Sequence, residues 1–280
     1  MLIFNTIAEI RNYLITIKKD KKIGLVPTMG ALHDGHAALI DQSVQDNDIT
    51  ICSIFVNPIQ FNNSSDLEKY PRTLDADAAL LSKHKCDVLF APSAQEMYPN
   101  GMPQLTIDFG YQNSVMEGSF RPGHFSGVGV VVAKLFNIIQ PQVAYFGQKD
   151  FQQCLVVKQL ARELSFPLEI KIVPTLREKS GLAMSSRNRR LTEKQLETAP
   201  KLYEILSQAA KDSKHESVEH IKSQSLQKLL EVGFNPEYFE FVDFETGVLC
   251  EELIPNRTYG ICTAAFLGEV RLIDNIIFNA

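Results

Sequence analysis

The chain has 280 residues, of which 45% are hydrophobic and 22% charged, and its formal net charge is −5. This ordinary globular composition supports a sizeable core, and the length favours one large domain and one smaller domain. The charge balance excludes a general attraction to nucleic acid or to an anionic membrane, so any phosphate binding must be local.

The cysteine pattern and the N-terminal residues predict the compartment. Five cysteines are scattered along the chain without paired spacing, which argues against a disulfide framework and against a zinc site. The first residues lack the order of a secretory signal, and no apolar run reaches the ~20 residues that a bilayer requires. We therefore expect a cytoplasmic protein that does not span a membrane.

Helical and strand-like patterns alternate through the first part of the chain. Apolar residues recur at helical spacing and predict helices at 5–19, 35–45, 74–84, 127–139 and 150–164. Short apolar runs between them predict buried strands at 23–27, 49–56, 87–92, 143–146 and 168–174. This alternation predicts an α/β domain over residues 1–175, with a Rossmann-like, doubly wound parallel sheet.

The pattern changes after residue 175. Two polar helices are predicted at 192–212 and 216–232, and strand-like runs follow at 238–244, 257–267 and 270–278. Helices followed by strands predict a smaller α+β domain over residues 176–280 with an antiparallel sheet. We expect the loop at 177–190 to connect the two domains and the smaller domain to close over the active site.

The segment PTMGALHDGH carries the strongest functional signal. Gly30 interrupts the strand pattern, and His33 and His36 follow at the start of the next helix. A helix N-terminus offers N–H groups and a positive dipole end to phosphate, and Gly35 permits close approach of the main chain. A neutral imidazole there can donate to charge that develops on an α-phosphate. A solvated helix face or a metal site is the alternative, but no cluster nearby supplies further zinc ligands.

This motif resembles the His-Ile-Gly-His signature of class I nucleotidyltransferases and aminoacyl-tRNA synthetases, with Asp34 at the variable position. The resemblance implies a second, flexible phosphate-binding loop, and AMSSRN at 183–188 matches it with two serine hydroxyls and the forked donors of Arg187. Taken alone, that segment would be better explained as an ordinary basic loop. Gly181 is a candidate hinge.

A third element, FGQKDFQQ at 146–153, again follows a predicted strand and opens a helix. Lys149 can place a point charge against the α-phosphate, and Asp150 can accept from a ribose or orient the lysine. A Lys-Asp pair at a helix start is also a common capping arrangement, so this element alone decides nothing.

Several segments together resemble the pantothenate synthetase family in its order and spacing: PTMGALHDGH, FVNPIQF, YPRT, RPGHFSGV, FGQKDFQQ, MSSRN and RLIDN. The resemblance spans nearly the whole chain. It implies an ATP-dependent ligase that condenses (R)-pantoate with β-alanine through a pantoyl adenylate, releasing pyrophosphate and AMP. It also implies Mg²⁺ bound to ATP, a homodimer, and small-molecule substrates rather than nucleic acid or membrane as partners.

The same resemblance assigns roles to residues. It implies that His33, His36, Lys149 and Arg187 are catalytic, and that Gln60 and Gln153 bind pantoate, with Gln60 also near β-alanine. The implied ATP-binding residues are Met29, Gly30, Ala31, Leu32, His33, Asp34, Gly35, His36, Gly147, Gln148, Lys149, Asp150, Leu176, Met184, Ser185, Ser186 and Arg187. Gln148 and Asp34 depart from the family pattern, which usually has Glu at both positions.

Some alternatives stay open. An adenylyltransferase of the phosphopantetheine or nicotinamide-mononucleotide type would leave AMP on its product, and a nucleotide sensor would bind without turnover. Asp75 and Asp77 could help hold Mg²⁺ through water, but no metal ligand is assigned. Arg121 and His124 either order a loop over the active site or cap the helix at 127–139.

Overall fold

The computed structural model describes residues 1–17, 21–61, 67–68 and 70–280, and the chain folds into two compact units. The first unit comprises Met1–Gly147 and Gln153–Val173, and the second comprises Gln148–Gln152 and Pro174–Ala280. The segment 148–152 groups with the C-terminal residues, because Asn275 donates side-chain hydrogen bonds to its main-chain carbonyls. The predicted closing of the smaller domain stays a prediction.

The first unit is built on a parallel sheet with six strands in the described part of the chain, in the order β1-β4-β3-β2-β5-β6. The strands are β1 (Leu2–Phe4), β2 (Ile23–Thr28), β3 (Ile49–Ile54), β4 (Val88–Phe90), β5 (Val143–Gly147) and β6 (Glu169–Val173). From β2 the chain runs outward to β4 and then crosses to β5, so the topological switch point lies between β2 and β5. The predicted doubly wound sheet is confirmed, with the short edge strand β1 added.

The helices of this unit are α1 (Ile7–Thr16), α2 (Asp34–Asp46), α3 (Leu74–Lys83), α4 (Ala94–Met97), α5 (Met116–Phe120), α6 (His124–Ile139) and α7 (Phe151–Glu163). Residues 18 and 19 of the predicted helix at 5–19 fall outside the described residues. Helix α6 begins three residues before its predicted start, after Gly123 with its φ of 80°. The four- and five-residue helices α4 and α5 are not predicted by the sequence, because they are too short to show a period.

Both faces of the parallel sheet are covered by apolar side chains. Leu25 and Val26 are adjacent on β2, yet they belong to two different buried clusters. Successive strand residues point to opposite faces, so a strand covered on both sides reads as a continuous apolar run. All five cysteines are free thiols, and Cys250 is the least buried of them.

In the second unit, the described residues form a three-stranded antiparallel sheet in the order β7-β8-β9, which confirms the predicted α+β class. Its strands are β7 (Asn235–Asp243), β8 (Thr258–Leu267) and β9 (Val270–Asn279), and its helices are α8 (Glu193–Thr198), α9 (Lys201–Asp212) and α10 (Val218–Glu231). The prediction of one continuous helix at 192–212 is wrong, since the structure has the two helices α8 and α9 there. Pro200 cannot donate the main-chain hydrogen bond that would continue α8. Across the described residues, no helix combines the length and apolarity needed to cross a membrane.

Candidate active site

The loop between β2 and α2 is fixed by the carboxylate of Asp77, which lies on α3. The amides of Ala31 and Leu32 donate to Asp77 at 3.0 and 2.8 Å. Gly30 and Ala31 have φ values of 83° and 51°, and a Cβ on Gly30 would lie 3.1 Å from Asp77 Oδ2. Glycine therefore permits both the left-handed conformation and the close approach of the carboxylate.

These contacts give Asp77 a structural role, whereas its suggested help in holding Mg²⁺ through water stays a prediction. The Asp77 side chain is buried, and both of its carboxylate oxygens accept hydrogen bonds. Oδ2 accepts from the Ala31 amide, and Oδ1 accepts from the Leu32 amide and, at 3.2 Å, from Thr73 Oγ1. Within the described residues, no group of three or more His, Cys, Asp or Glu side chains is placed to hold a metal ion. Asp77 thus supports the loop between β2 and α2, which leads to His33 and is called the histidine loop below.

Replacing Asp77 with alanine should lower the free energy of unfolding by about 2–4 kcal/mol, because it leaves two buried main-chain donors without their acceptor. Urea denaturation followed by circular dichroism measures this loss. Asp75→Ala is the matched control, since Asp75 is exposed in the first turn of the same helix. Equal losses in the two variants would contradict the supporting role of Asp77.

His33 and His36 lie side by side at the N-terminus of α2, with ring centroids 4.1 Å apart. His33 caps the helix, which begins at Asp34, and its Nδ1 accepts from the Gly35 amide at 3.1 Å. Nδ1 of His36 accepts from the His33 amide at 3.3 Å. Because each Nδ1 accepts a main-chain hydrogen bond, each neutral ring carries its proton on Nε2. The pair therefore provides two Nε2–H donors at a helix N-terminus.

Gln60 ends a short 3₁₀-helix, Pro58–Gln60, that follows β3. Its side chain is 7% exposed, its Oε1 accepts from Asn57 Nδ2 at 3.1 Å, and its Nε2 contacts the sulfur of Met29 at 2.8 Å. His124 Nδ1 lies 2.9 Å from the Gln60 carbonyl, so this nitrogen is the donor. His124 thus begins α6 and also orders the turn that carries Gln60.

Two residues that the sequence does not single out, Asn57 and Tyr98, complete this network. The Tyr98 hydroxyl donates to Asn57 Oδ1 at 2.8 Å, and Asn57 Nδ2 also donates to the Gly127 carbonyl at 3.1 Å. Burial raises the pKa of Tyr98 well above its ordinary value, so the hydroxyl stays protonated. A Cβ on Gly127 would lie 2.5 Å from the Ile59 carbonyl oxygen, so glycine lets α6 pack against the turn. FVNPIQF contains Asn57, whereas no sequence signal marks Tyr98.

The residues after β5 form a second candidate segment. Gly147 ends β5, a 3₁₀-turn spans Gln148–Asp150, and α7 begins at Phe151, one residue later than predicted. Lys149 is half-buried, Asp150 is exposed, and Gln153 is half-buried in the first turn of α7. Lys149 and Asp150 are thus placed by the turn and not by the body of the helix.

The connecting loop predicted at 177–190 begins with a turn that main-chain hydrogen bonds hold, and the flexibility implied for residues 183–188 stays a prediction. Glu178 and Leu182 pair through their main chains at 2.8 Å, and the Met184 amide donates to the Leu176 carbonyl at 3.0 Å. Gly181 has a φ of 95°, and a Cβ there would lie 3.2 Å from the ring of Tyr203. The turn itself therefore requires this glycine, and the suggested hinge is not needed to explain it.

The serine and arginine residues follow this turn directly. Ser185 caps a 3₁₀-helix, Ser186–Arg190, by accepting from the Arg187 amide at 3.2 Å. Asn188 is buried and its Nδ2 donates to Glu178 Oε1 and to the Ala183 carbonyl, each at 3.1 Å. Met184, Ser185, Ser186 and Arg187 are all half-buried. Their main chain is thus held while their side chains stay partly accessible.

The doubly wound parallel sheet, with a histidine pair beyond β2 at the switch point, defines a Rossmann-type α/β protein of the class that binds nucleotides. Comparison with known families then gives the particular assignment. The family model described as pantoate-beta-alanine ligase matches residues 2–277, and the chain belongs to this family.

Similar proteins agree with this assignment over their full length. A pantothenate synthetase of Cytophaga hutchinsonii is 44% identical over 99% of both chains, and one of a Marinomonas species is 47% identical over 99% of both. A pantothenate synthetase structure from Thermus thermophilus has a TM-score of 0.90 and 40% identity, covering 99% of each chain. A pantoate-β-alanine ligase from Francisella tularensis, complexed with β,γ ATP and β-alanine, has a TM-score of 0.83 and 39% identity, covering 99% of this chain and 97% of its own.

Proposed function

We propose that this protein condenses (R)-pantoate with β-alanine at the expense of ATP, giving pantothenate, AMP and pyrophosphate. The family match over residues 2–277 and the relative complexed with ATP and β-alanine support this proposal. The observation that carries it is the histidine pair at the N-terminus of α2, where both Nδ1 atoms accept main-chain hydrogen bonds. This arrangement presents Nε2–H donors where a phosphate would be bound.

In the first step, a carboxylate oxygen of pantoate attacks the α-phosphorus of ATP and pyrophosphate leaves. His33 and His36 donate to phosphate oxygens, and Lys149 supplies positive charge as negative charge develops on the α-phosphate. Ser185, Ser186 and Arg187 bind the β- and γ-phosphates. The other residues that contact ATP in this proposal are Met29, Gly30, Ala31, Leu32, Asp34, Gly35, Gly147, Gln148, Asp150, Leu176 and Met184.

Gln60 and Gln153 bind pantoate in this proposal. Their amides can both donate to and accept from the hydroxyls and the carboxylate, and they carry no charge that would reduce the nucleophilicity of the carboxylate. In the second step, the amine of β-alanine attacks the acyl carbon, AMP leaves, and the nitrogen loses a proton as the amide forms. Gln60 lies near β-alanine in this step.

Mg²⁺ enters bound to ATP. Mg²⁺ favours octahedral oxygen coordination by phosphates and waters with few protein ligands. The proposal also includes a cytoplasmic location and a homodimer. Light scattering of the 31.4 kDa chain tests the oligomeric state.

The reaction is tested by incubating the purified protein with Mg-ATP and pantoate, with and without β-alanine, while AMP and pyrophosphate are followed. AMP release that depends on both substrates is the expected result. A stable adenylylated product would support an adenylyltransferase, and ATP binding without turnover would support a nucleotide sensor.

Tyr98→Phe should raise KM for pantoate about fivefold, because loss of one buried hydrogen bond costs about 1 kcal/mol and loosens Asn57 beside Gln60. KM for ATP should stay unchanged. Initial rates of pyrophosphate release at varied pantoate measure the effect. Tyr13→Phe, which removes a hydroxyl on α1, is the control. An equal rise in both KM values would contradict a role specific to the Gln60 network.

A further inference from the structure

A polar cluster of Arg177, Asp274 and Asn275 lies within the second unit and touches both segments to which we assign phosphate binding. Asp274 and Asn275 are neighbours on β9 and are 4% and 1% exposed. Arg177 precedes the turn that leads to Ser185–Arg187. The proposed reaction assigns no chemical step to any of the three residues.

Asn275 holds the turn that carries Lys149. Its Nδ2 donates to the main-chain carbonyls of Gln148 and Lys149, at 2.9 and 3.0 Å. Its Oδ1 accepts from Gln148 Nε2 at 3.1 Å. Two facing carbonyls require a donor, so this orientation of the amide is fixed by its partners. One side chain thus makes three hydrogen bonds to two consecutive residues of the turn.

Arg177 and Asp274 form a bidentate ion pair, with Nη1–Oδ2 and Nη2–Oδ1 distances of 2.7 and 2.9 Å. Arg177 also donates to the carbonyls of Gly181 at 3.2 Å and Asn275 at 3.1 Å. Asp274 Oδ1 accepts from the Asn275 amide at 2.8 Å, and the guanidinium lies 3.6 Å from the centroid of the Tyr203 ring. The pair therefore connects the 178–181 turn to Asn275.

Stability alone is a weak explanation for such a cluster. Desolvation of a buried ion pair offsets most of its attraction, and apolar residues of similar volume are often as stable. Here the hydrogen bonds end on main-chain carbonyls of residues 148, 149 and 181, which belong to the segments of Lys149 and Arg187. Fixing those segments is the property that apolar side chains could not reproduce.

We propose that Asn275, held in place by the Arg177–Asp274 pair, is a positioning residue that sets Lys149 for adenylate formation. This inference rests on the proposed function. It also gives Gln148 a specific part, because its amide donates to Asn275 Oδ1. The carboxylate of a glutamate, the usual residue of the family here, would lack that donor.

The decisive experiment is a double-mutant cycle on the full chain. Asn275→Ala should slow single-turnover pyrophosphate release about 10- to 100-fold, because displacement of a catalytic group by about 1 Å can cost that much. In a Lys149→Ala background, the same change should have an effect of less than about threefold, since the group being positioned is gone. KM for pantoate should be unchanged in each background.

Asn279→Ala is the matched control, because Asn279 ends the same strand, is exposed, and has an Oδ1 that accepts from the Thr258 hydroxyl at 2.8 Å. It should keep the wild-type rate. An equal slowing by Asn275→Ala in both backgrounds, or one no larger than that of Asn279→Ala, would overturn the inference. If Asn275→Ala does not fold, Arg177→Lys replaces it in the same cycle, because lysine keeps the positive charge but loses the bidentate contact with Asp274.

Equilibrium ATP binding is measured on the same proteins. A wild type that binds ATP but releases no pyrophosphate contradicts the proposed function by itself. In that case the adenylate part of the inference fails too, but the positioning of Lys149 by Asn275 stands if Asn275→Ala weakens ATP binding only when Lys149 is present, and it fails if the weakening is the same without Lys149.

Discussion

Lys149→Ala is expected to slow adenylate formation by ~10²-fold or more, as removal of a preorganised group that meets transition-state charge typically does. Lys149 is half-buried in a turn whose main-chain carbonyls accept hydrogen bonds from Asn275, so the main chain that carries its ammonium group is held in position. Single-turnover release of pyrophosphate from ATP and pantoate measures this step without the contribution of β-alanine.

Two further variants sharpen this test. Lys149→Arg keeps the charge but changes its shape and reach, so it should recover only part of the rate. Lys158→Ala removes an exposed lysine of α7 and should leave the rate unchanged. A wild-type rate in Lys149→Ala would refute the role of Lys149 and, with it, the reason for the positioning by Asn275.

The parts of the fold and site that can be predicted from the sequence depend on local signals. Buried strands, the helix periods and the Gly30-to-His36 connection are each contained within a few residues. General rules of handedness and strand order then predict the doubly wound sheet. The short strand β1 and the break at Pro200 escape such a prediction, because three residues show no reliable period and the helical spacing of apolar residues continues past the proline.

The residues that support the site could not be predicted in this way. Asp77 contacts amides 46 and 45 positions away, and Asn275 contacts carbonyls 127 and 126 positions away. A lone buried aspartate or asparagine has no pattern in the sequence that reveals its partner. RLIDN carries a family resemblance, but its contact with the Lys149 turn depends on tertiary structure.

The supporting residues share one physical role. Asp77 accepts from the amides of the histidine loop, His124 donates to the Gln60 carbonyl, and Asn275 donates to the Lys149 carbonyl. Each contact is made to main chain, inside one unit, by a buried polar side chain. Main-chain contacts fix the position of a functional residue while leaving its side chain for the substrate, which is how preorganisation reduces the cost of catalysis.

His36→Ala is the second change with a large expected effect, and it too should slow adenylate formation by ~10²-fold or more. The reason lies in the tautomer: Nδ1 accepts from the His33 amide, so Nε2 carries the proton, which in the proposed reaction is donated to the α-phosphate. The change also removes the acceptor for that amide. Single-turnover pyrophosphate release again measures the rate, and His215→Ala, an exposed histidine of the second unit, is the control.

Two near-isosteric variants separate the roles of the two ring nitrogens. Glutamine can place an amide N–H near the position of Nε2, whereas asparagine can place a carbonyl oxygen near that of Nδ1. If donation to the phosphate dominates, His36→Gln should recover clearly more of the rate than His36→Asn. Greater recovery in His36→Asn would mean that His36 acts chiefly by holding the His33 amide, and the assignment of His36 as the donor would be wrong.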